Sequence, residues 1–378
     1  MTEHRRNLQY DLILVGGGLA NCLLALSLAQ RVPSFRWLLI EADDKLGGGH
    51  HWSFLLEDLA RSKKMFPQHV WVDHLIAKRW PSYNVAFNKY SRNIKLPFGV
   101  MTATDIHSLV TKTCPLSQIK LNTKVEKIVG DRVFLEHNHL PITGRLVIDG
   151  RAKPYPAEIK SFQKSLIQIW QTNRPHGIKV PVWVDGRLDQ KRGLNTLSVI
   201  PWGQNSLLIQ DRFVQKSPIF NGSKSRMTIH NFLKASRLTP VRMLEEQQSV
   251  QPVVTQGSLL RVSPSCYRDQ RFDHALYEAL AFSSKVQSLP EKACIKTVFA
   301  QTSNKMMKAK RKSKNFNGAM VDTLRPEDRV KFLENLYQMP LQVLKNYHRG
   351  KLSPVEWVQF GFNRGPIGVR DSIKLALH

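Results

Sequence analysis

Hydrophobic positions come in short blocks from the start of the chain. Tyr10 to Val15 (YDLILV) is a run dominated by apolar strand formers, and Gly16, Gly17 and Gly18 follow at once. From Leu19 to Gln30 apolar and small residues recur at helical spacing, and Trp37 to Glu41 (WLLIE) is a second strand-like run ending in an acid. A short continuous apolar run suits a strand buried on both faces, whereas a period near 3.6 suits a helix packed by one side. The order predicts strand, glycine turn, helix, strand: a βαβ unit. Two β-rich runs between Val125 and Leu135 flank Gly130-Asp131 and predict a hairpin. Arg145 to Ile148 reads as another strand, ending in Asp149-Gly150. Residues 160 to 215 read as mixed strands, with turn signals at Pro175-His176-Gly177 and Pro201-Trp202-Gly203. Helical patterns dominate from Phe272 onwards. Ser353, Pro354 and Glu356 form a helix start, with the serine as N-cap, proline in the first turn and glutamate three after the cap.

These elements predict an α/β chain, α+β overall. A Rossmann-type dinucleotide domain is expected, joined to a mixed-sheet substrate domain and a helical C-terminal part. The expected bounds are 1–155 for the first part of the dinucleotide domain and 156–255 for the mixed sheet. Residues 256–378 would hold the remainder of the dinucleotide domain and the helical part.

The glycine turn carries the first chemistry. Gly16 permits a tight turn, and Gly18 lets a pyrophosphate approach the backbone and rest on the helix N-terminus at Leu19 and Ala20. Glu41 stands where an acid accepts hydrogen bonds from ribose hydroxyls, which favours a ribose without a 2′-phosphate. Asn21 occupies the third glycine position of the general fingerprint. The alternative is a glycine turn with no ligand. Shortly after the acid, Lys45 to Phe54 (KLGGGHHWSF) contains a second glycine pair, Gly47-Gly48, as flavin-binding Rossmann domains have where the chain passes the dinucleotide again. The adjacent His50 and His51 would point to opposite sides of a strand, so no metal site is expected.

Composition narrows the picture. Hydrophobic residues make up 42% and charged residues 22%, which argues against disorder, collagen and coiled coil. Cys22, Cys114, Cys266 and Cys294 form no CxxC pair, so a reduced protein without a zinc site is expected, with Cys22 as packing. Leu19 to Ala29 is the longest apolar stretch and is too short to span a bilayer. The start, MTEHRRNLQYDL, lacks the apolar segment of a secretory signal, so the chain is expected to stay where it is made. The formal net charge of +27 favours polyanions, either nucleic acid or anionic lipid. Six of the ten residues from Lys305 to Lys314 are basic, without interleaved aromatics, which disfavours nucleic acid. That tract reads as a solvated helix face or as an anionic-membrane contact into which Met306 and Met307 dip. Residues 352–362 (LSPVEWVQFGF) read as core or as a membrane-facing edge.

The run YDLILVGGGLAN, then WLLIEA, then GGGHHWSF resembles the bacterial lycopene β-cyclases of carotenoid biosynthesis. VIDGRA (147–152) resembles that family's flavin-domain segment. RPHGIKVPVWVD (174–185) and IPWGQNSLLIQD (200–211) have its order and spacing. FLENLYQMPLQVLKNYHRGKLSP (332–354) and NRGPIGV resemble its C-terminal segments. GGGLAN includes the asparagine, so Asn21 agrees with this family. The resemblance implies an enzyme that cyclises the ψ ends of lycopene to β-ionone rings with no net redox change. It implies reduced FAD as cofactor and NAD(P)H as reductant. The implied cofactor residues are Gly16, Gly17, Gly18, Leu19, Ala20, Glu41, Gly47, Gly48 and Asp149. A membrane-dissolved hydrocarbon substrate implies a cytoplasmic protein, peripheral on the inner face of an anionic membrane. No oligomeric state is implied.

Departures from the family fall at functional positions. The segment LLIQD has Gln210 where the family has an acid, leaving Gln210 and Asp211 as the catalytic candidates, and Asp211 points to the other face of a strand. Asp185 and Glu278 are further candidates for a displaced acid. The family has an acid near Ile169 and an asparagine at Gly49. The family's flavin loop is matched by Phe272 to Ala281 (FDHALYEALA), which reads as helix. These departures keep open a catalytically impaired or repurposed homologue that retains the fold.

Overall fold

The computed structural model describes residues 9–48, 50–75, 78–151, 161–191, 193–253, 272–287, 295–301, 324–349, 353 and 356. The chain divides into two units. The first comprises Met1–Arg79, Gly99–Pro154 and Val262–Lys308; the second comprises Trp80–Phe98, Tyr155–Arg261 and Ala309–His378.

In the first unit β1 (Tyr10–Val15) pairs in parallel with both β2 (Trp37–Ile40) and β11 (Ile142–Asp149). The sheet extends to β8 (Ile119–Lys120) on one side and to the hairpin β9 (Val125–Val129) and β10 (Arg132–Leu135) on the other. Gly130 turns that hairpin at φ +62°, a conformation that favours glycine. Strand alternation divides β1 between two cores. Leu12 and Leu14 pack with Leu23, Leu26 and Leu39, whereas Ile13 and Val15 pack with Leu38, Ile40 and Val133. Burial on both faces is why the run is apolar at nearly every position.

Helix α1 (Leu19–Arg31) packs against α3 (Ala103–Thr113) and α5 (Phe272–Gln287). Thr102 caps α3 through a capping box with Asp105. The expected helical reading of 272–281 is found, and Leu276, Ala279 and Leu280 of α5 are buried in the α1 core. The strands β3 (His51–Leu55), β4 (Lys78–Trp80) and β7 (Phe98–Thr102) form a small sheet, and α2 (Leu56–Met65) follows β3.

The second unit is a seven-stranded sheet in the order β16-β12-β15-β14-β13-β5-β6. Its strands are β5 (Tyr83–Ala86), β6 (Ser91–Ile94), β12 (Ser161–Thr172), β13 (Val182–Asp185), β14 (Leu194–Gly203), β15 (Ser206–Gln215) and β16 (Pro240–Val253). Strands β12, β14, β15 and β16 pair antiparallel, while β13 pairs in parallel with β5. That pairing takes residues 80–98 into the second unit, whereas the sequence expectation ran the first segment unbroken to 155. One sheet face is covered by α4 (Ser223–Ala235), whose Ile229 and Leu233 pack on Leu166, Leu197, Val199, Leu207 and Ile209. Helices α6 (Pro326–Gln338) and α7 (Leu341–His348) complete the unit's described part. The expected helix start is present at Ser353, whose N–H donates to Glu356 Oε2 at 2.6 Å while its Oγ accepts from Glu356 N at 3.2 Å.

Cys22 and Cys114 are buried free thiols, and Cys22 Sγ donates to Gly17 O. Burial pushes the Cys114 thiol up to about 12, so it stays protonated at neutral pH. Gly49, Cys266, Cys294, the tract 305–314, NRGPIGV and the remainder of 352–362 lie outside the described residues.

Candidate active site

The glycine turn sits at the C-terminal end of the parallel strands, where α/β sheets bind ligands. Gly16 takes φ +89°. Backbone bonds hold the turn from three directions: Gly16 N to Ile40 O at 2.8 Å, Gly150 N to Val15 O at 2.7 Å, and Gly47 N to Gly17 O at 2.7 Å. Glu41 Oε2 accepts from Gly17 N at 2.5 Å and Oε1 accepts from Asp43 N at 3.0 Å. Each carboxylate oxygen retains acceptor capacity for a ribose hydroxyl.

No side chain caps α1, and its first turn carries no acid. A helix start leaves the N–H groups of Leu19, Ala20 and Asn21 without intrahelical acceptors and bears partial positive charge. A Cβ built on Gly18 meets nothing within 4 Å, so there is open space beside this end. An uncapped helix start, free space and a carboxylate beside it fit the pyrophosphate and ribose of FAD.

Asn21 replaces a glycine by becoming a staple. Its Nδ2 donates to Val15 O at 3.1 Å and Gly16 O at 2.8 Å, tying the strand end to the helix. The room comes from Gly150, where a Cβ would lie 2.6 Å from that nitrogen. Asp149 points to its own turn: Oδ1 accepts from Arg151 Nε at 3.0 Å and Oδ2 from Arg151 Nη2 at 3.1 Å. Arg151 also donates to Val125 O, so Asp149 positions the Gly150 turn. At Gly47 the chain's own packing explains the glycine: φ is +97° and a Cβ would lie 2.8 Å from Ala103 and Ile106. Gly48 also has positive φ, +60°, with more room around it.

In the second unit Gln210 faces Ile167 and Ser198 in register, whereas Asp211 faces Leu166 and Leu197. The two side chains therefore lie on opposite sheet faces, with Asp211 on the face that α4 covers. Arg212 shares the Gln210 face, and its Nη2 donates to Gln210 Oε1 at 2.7 Å. Its Nε is buried without a hydrogen-bond partner in the structure. Burial pulls the guanidinium's pKa down, opposed by the phenols of Tyr337 and Tyr347 beside it. Of the other expected acids, Asp185 is bonded to Arg187 at 2.9 and 2.5 Å. Glu278 is buried on α5 in the first unit.

Next to these tyrosines is an aromatic cluster. Trp183 meets Tyr83 edge-on at 4.7 Å, Phe98 at 4.6 Å and His348 stacked at 4.8 Å. Tyr83 Oη and His348 Nε2 share a hydrogen bond of 3.0 Å. Burial pushes the Tyr83 phenol well up, so it keeps its proton.

A family model described as lycopene cyclase protein matches residues 11–269. The chain belongs to the lycopene cyclase family. A lycopene beta-cyclase of Pseudescherichia vulneris is 25% identical, over 97% of this chain and 97% of that protein. One from Pantoea ananas is 31% identical, over 66% of this chain and 64% of that protein. Among solved structures, a geranylgeranyl bacteriochlorophyll reductase-like protein from Thermoplasma acidophilum has a TM-score of 0.64 at 12% identity, covering 97% of this chain and 99% of that one. The lycopene cyclase architecture seen here is that of Rossmann-type FAD flavoproteins.

For this lycopene cyclase the structure brings Gly16, Gly17, Gly18, Leu19, Ala20, Glu41 and Gly47 to one turn. It puts Gln210 and Asp211 on different faces. Three features escaped the sequence. Arg212 donates to Gln210 from two residues along the same strand. The rings of Tyr83, Phe98, Trp183 and His348 come from four separate segments. Glu245 of β16 lies opposite Ile169, the position where the family's acid is expected. Glu245 is the carboxylate on the Gln210 face among the described residues of β12, β14, β15 and β16. A register across strands could not be read from a single chain, although the expected family acid near Ile169 was a signal to look beside it.

Proposed function

We propose that this lycopene cyclase converts the ψ ends of lycopene to β-ionone rings, using FAD at the glycine turn and NAD(P)H as reductant. Family membership along residues 11–269 is the observation that carries the reading. The activity is that of an intramolecular lyase or isomerase, with no net redox change. An end double bond gains a proton, the ring closes on the resulting cation, and a neighbouring carbon loses a proton.

When bound and reduced, FAD supplies an electron-rich surface that lowers the energy of a nearby carbocation. Gly16, Gly17, Gly18, Leu19 and Ala20 present the backbone to its pyrophosphate, and Glu41 accepts from its ribose. Gly47 and Gly48 line the approach, and Asp149 holds the Gly150 turn in place. On the sheet, Glu245 is assigned as the proton-holding acid in place of Gln210. A carboxyl there meets the requirement for a positioned general acid. Asp211 is buried on the α4 side, away from the Gln210 face. Lycopene dissolves in membranes, which supports a cytoplasmic protein peripheral on the inner membrane face. Among the described residues no helix is long and apolar enough to cross a membrane.

The test is expression in a lycopene-accumulating bacterial host, with pigments separated by chromatography. β-Carotene in place of lycopene supports the reading. A second reading, a catalytically impaired homologue, draws on the Arg212–Gln210 contact, which sets a cation where a carbocation needs negative charge. A purified protein that holds FAD yet yields no cyclised pigment would favour that second reading.

A further inference from the structure

The span 212–244 contains no Asp or Glu but has seven Lys and Arg residues. It also presents five large apolar side chains to solvent. Ile219 is 80% exposed, Met227 63%, Val241 63%, Leu244 49% and Met243 44%. Single exposed apolar residues are ordinary, but several in one acid-free basic segment are not.

The fold brings α4 and the start of β16 together along one flank, with Met243 on the α4 side of the sheet edge. Met227 and Lys234 are both exposed and lie seven residues apart on α4, a spacing that keeps them on one side of the helix. They lie away from Ile229 and Leu233, which pack on the sheet. The chain then turns at Arg237 into β16. Arg226 bonds to Glu246, so α4 runs beside β16. Met243 stands opposite Trp170 in register, and Arg174 Nη2 donates to Arg237 O. Strand β16 ends the sheet order, and an open sheet edge with exposed apolar residues favours aggregation unless something covers it. Among the described residues Arg174, Lys224, Lys234, Arg237 and Arg242 form no ion pair.

We infer that the outer side of α4 with the β16 edge at 240–244 is the surface on which this protein docks to an anionic lipid bilayer. Met227, Val241, Met243 and Leu244 enter the interface, and the unpaired cations meet headgroup phosphates. Aliphatic side chains amid cations match the boundary between acyl chains and anionic headgroups. A nucleic acid would instead call for stacking aromatics and base-edge hydrogen bonding. The inference rests on the lycopene reading for its biological sense, since that substrate lies in a bilayer, but its test needs no lycopene.

The full-length FAD-loaded protein is sedimented with vesicles of phosphatidylcholine alone, or with about three parts in ten phosphatidylglycerol, at low and high salt. The first variant carries Lys224→Gln, Lys234→Gln and Arg237→Asn, with asparagine chosen because Arg237 has φ +54°. The second carries Val241→Ser and Met243→Ser. A charge-matched control carries Lys112→Gln, Lys120→Gln and Lys127→Gln in the first unit. Unchanged melting temperature and flavin content show that each variant is folded.

The expected result is a partition of the wild type onto anionic vesicles that falls at least tenfold in the first variant and in the second. The control keeps most of its binding. Equal losses in the control and the first variant would overturn the inference, because bulk charge would then explain binding. So would tighter binding to a single-stranded oligonucleotide than to vesicles, lost in the first variant. Surface-specific loss of vesicle binding supports the inference even where the lycopene host makes no cyclised pigment, an outcome that would count against the cyclase reading alone.

Discussion

Restoring an acid at position 210 is not enough to restore an acid's chemistry, because Arg212 is already there. Arg212 Nη2 lies 2.7 Å from Gln210 Oε1. In Gln210→Glu the new carboxylate would form an ion pair with that guanidinium. A free glutamate titrates near about 4.3, and an adjacent cation lowers a carboxyl by roughly 1 to 3 units. At pH 7 the protonated fraction would fall from about one in 500 to between about one in 5,000 and one in 500,000. A rate limited by proton donation would thus lose roughly 10- to 1,000-fold of the 10² to 10⁴ that general acid help supplies. The pair would also be neutral overall, so it would not attract a carbocation. Gln210→Glu with Arg212→Met removes the cation and keeps the chain length. The expected order is double variant well above Gln210→Glu, by tenfold or more, with Gln210→Glu near wild type. The assay is the initial rate of β-carotene formation by purified, FAD-loaded enzyme on lycopene in vesicles with a nicotinamide reductant. Arg212→Met alone reports any loss of folding through its melting temperature. A single variant as fast as the double would refute the reasoning, and so would a wild type faster than both.

Glu245→Gln should lower cyclisation roughly 100-fold or more while leaving FAD affinity unchanged; retention of full rate would remove Glu245 as the acid. Gly18→Val should fold with normal melting temperature, because its Cβ meets nothing within 4 Å, yet fail to bind FAD in a fluorescence titration. Gly47→Ala should do the reverse first: positive φ and contacts at 2.8 Å predict about 1–3 kcal/mol of destabilisation in chemical denaturation. Burial, with Arg31 nearby, holds His69 down at about 4. The native state then keeps His69 neutral while the unfolded chain takes up a proton below about 6.5, so stability is lost as pH falls from about 6.5 to 4, by roughly 3 kcal/mol at most. His69→Gln should flatten that part of the pH–stability curve; an unchanged slope would show that other groups set it.

Local pattern was enough for the flavin half. The apolar run Tyr10–Val15, the three glycines, the small-residue helix and Glu41 are contiguous, and each element is specified within its own few residues. The hairpin at Gly130 and the Ser353–Glu356 cap were legible for the same reason, since a turn or a cap involves neighbours in the chain. Asn21 showed the limit of a motif. Its family agreement was visible, but its partner, Gly150, lies 129 residues away and is explained only by the 2.6 Å approach between them.

The substrate half depended on pairings between distant segments. Alternation along β15 correctly separates Gln210 from Asp211, because successive side chains point to opposite faces whatever the strand pairs with. Which face is covered is settled by α4, and which residues join Gln210 is settled by register. Glu245 reaches Ile169 across two strands that are far apart in sequence, and the rings around Trp183 meet through the parallel pairing of β5 with β13. Side-chain period is local physics, so the sequence alone determined it. Strand neighbours and register follow from burying all the apolar faces together, so only the tertiary structure decided that Glu245 of a distant strand shares the face of Gln210 and Arg212.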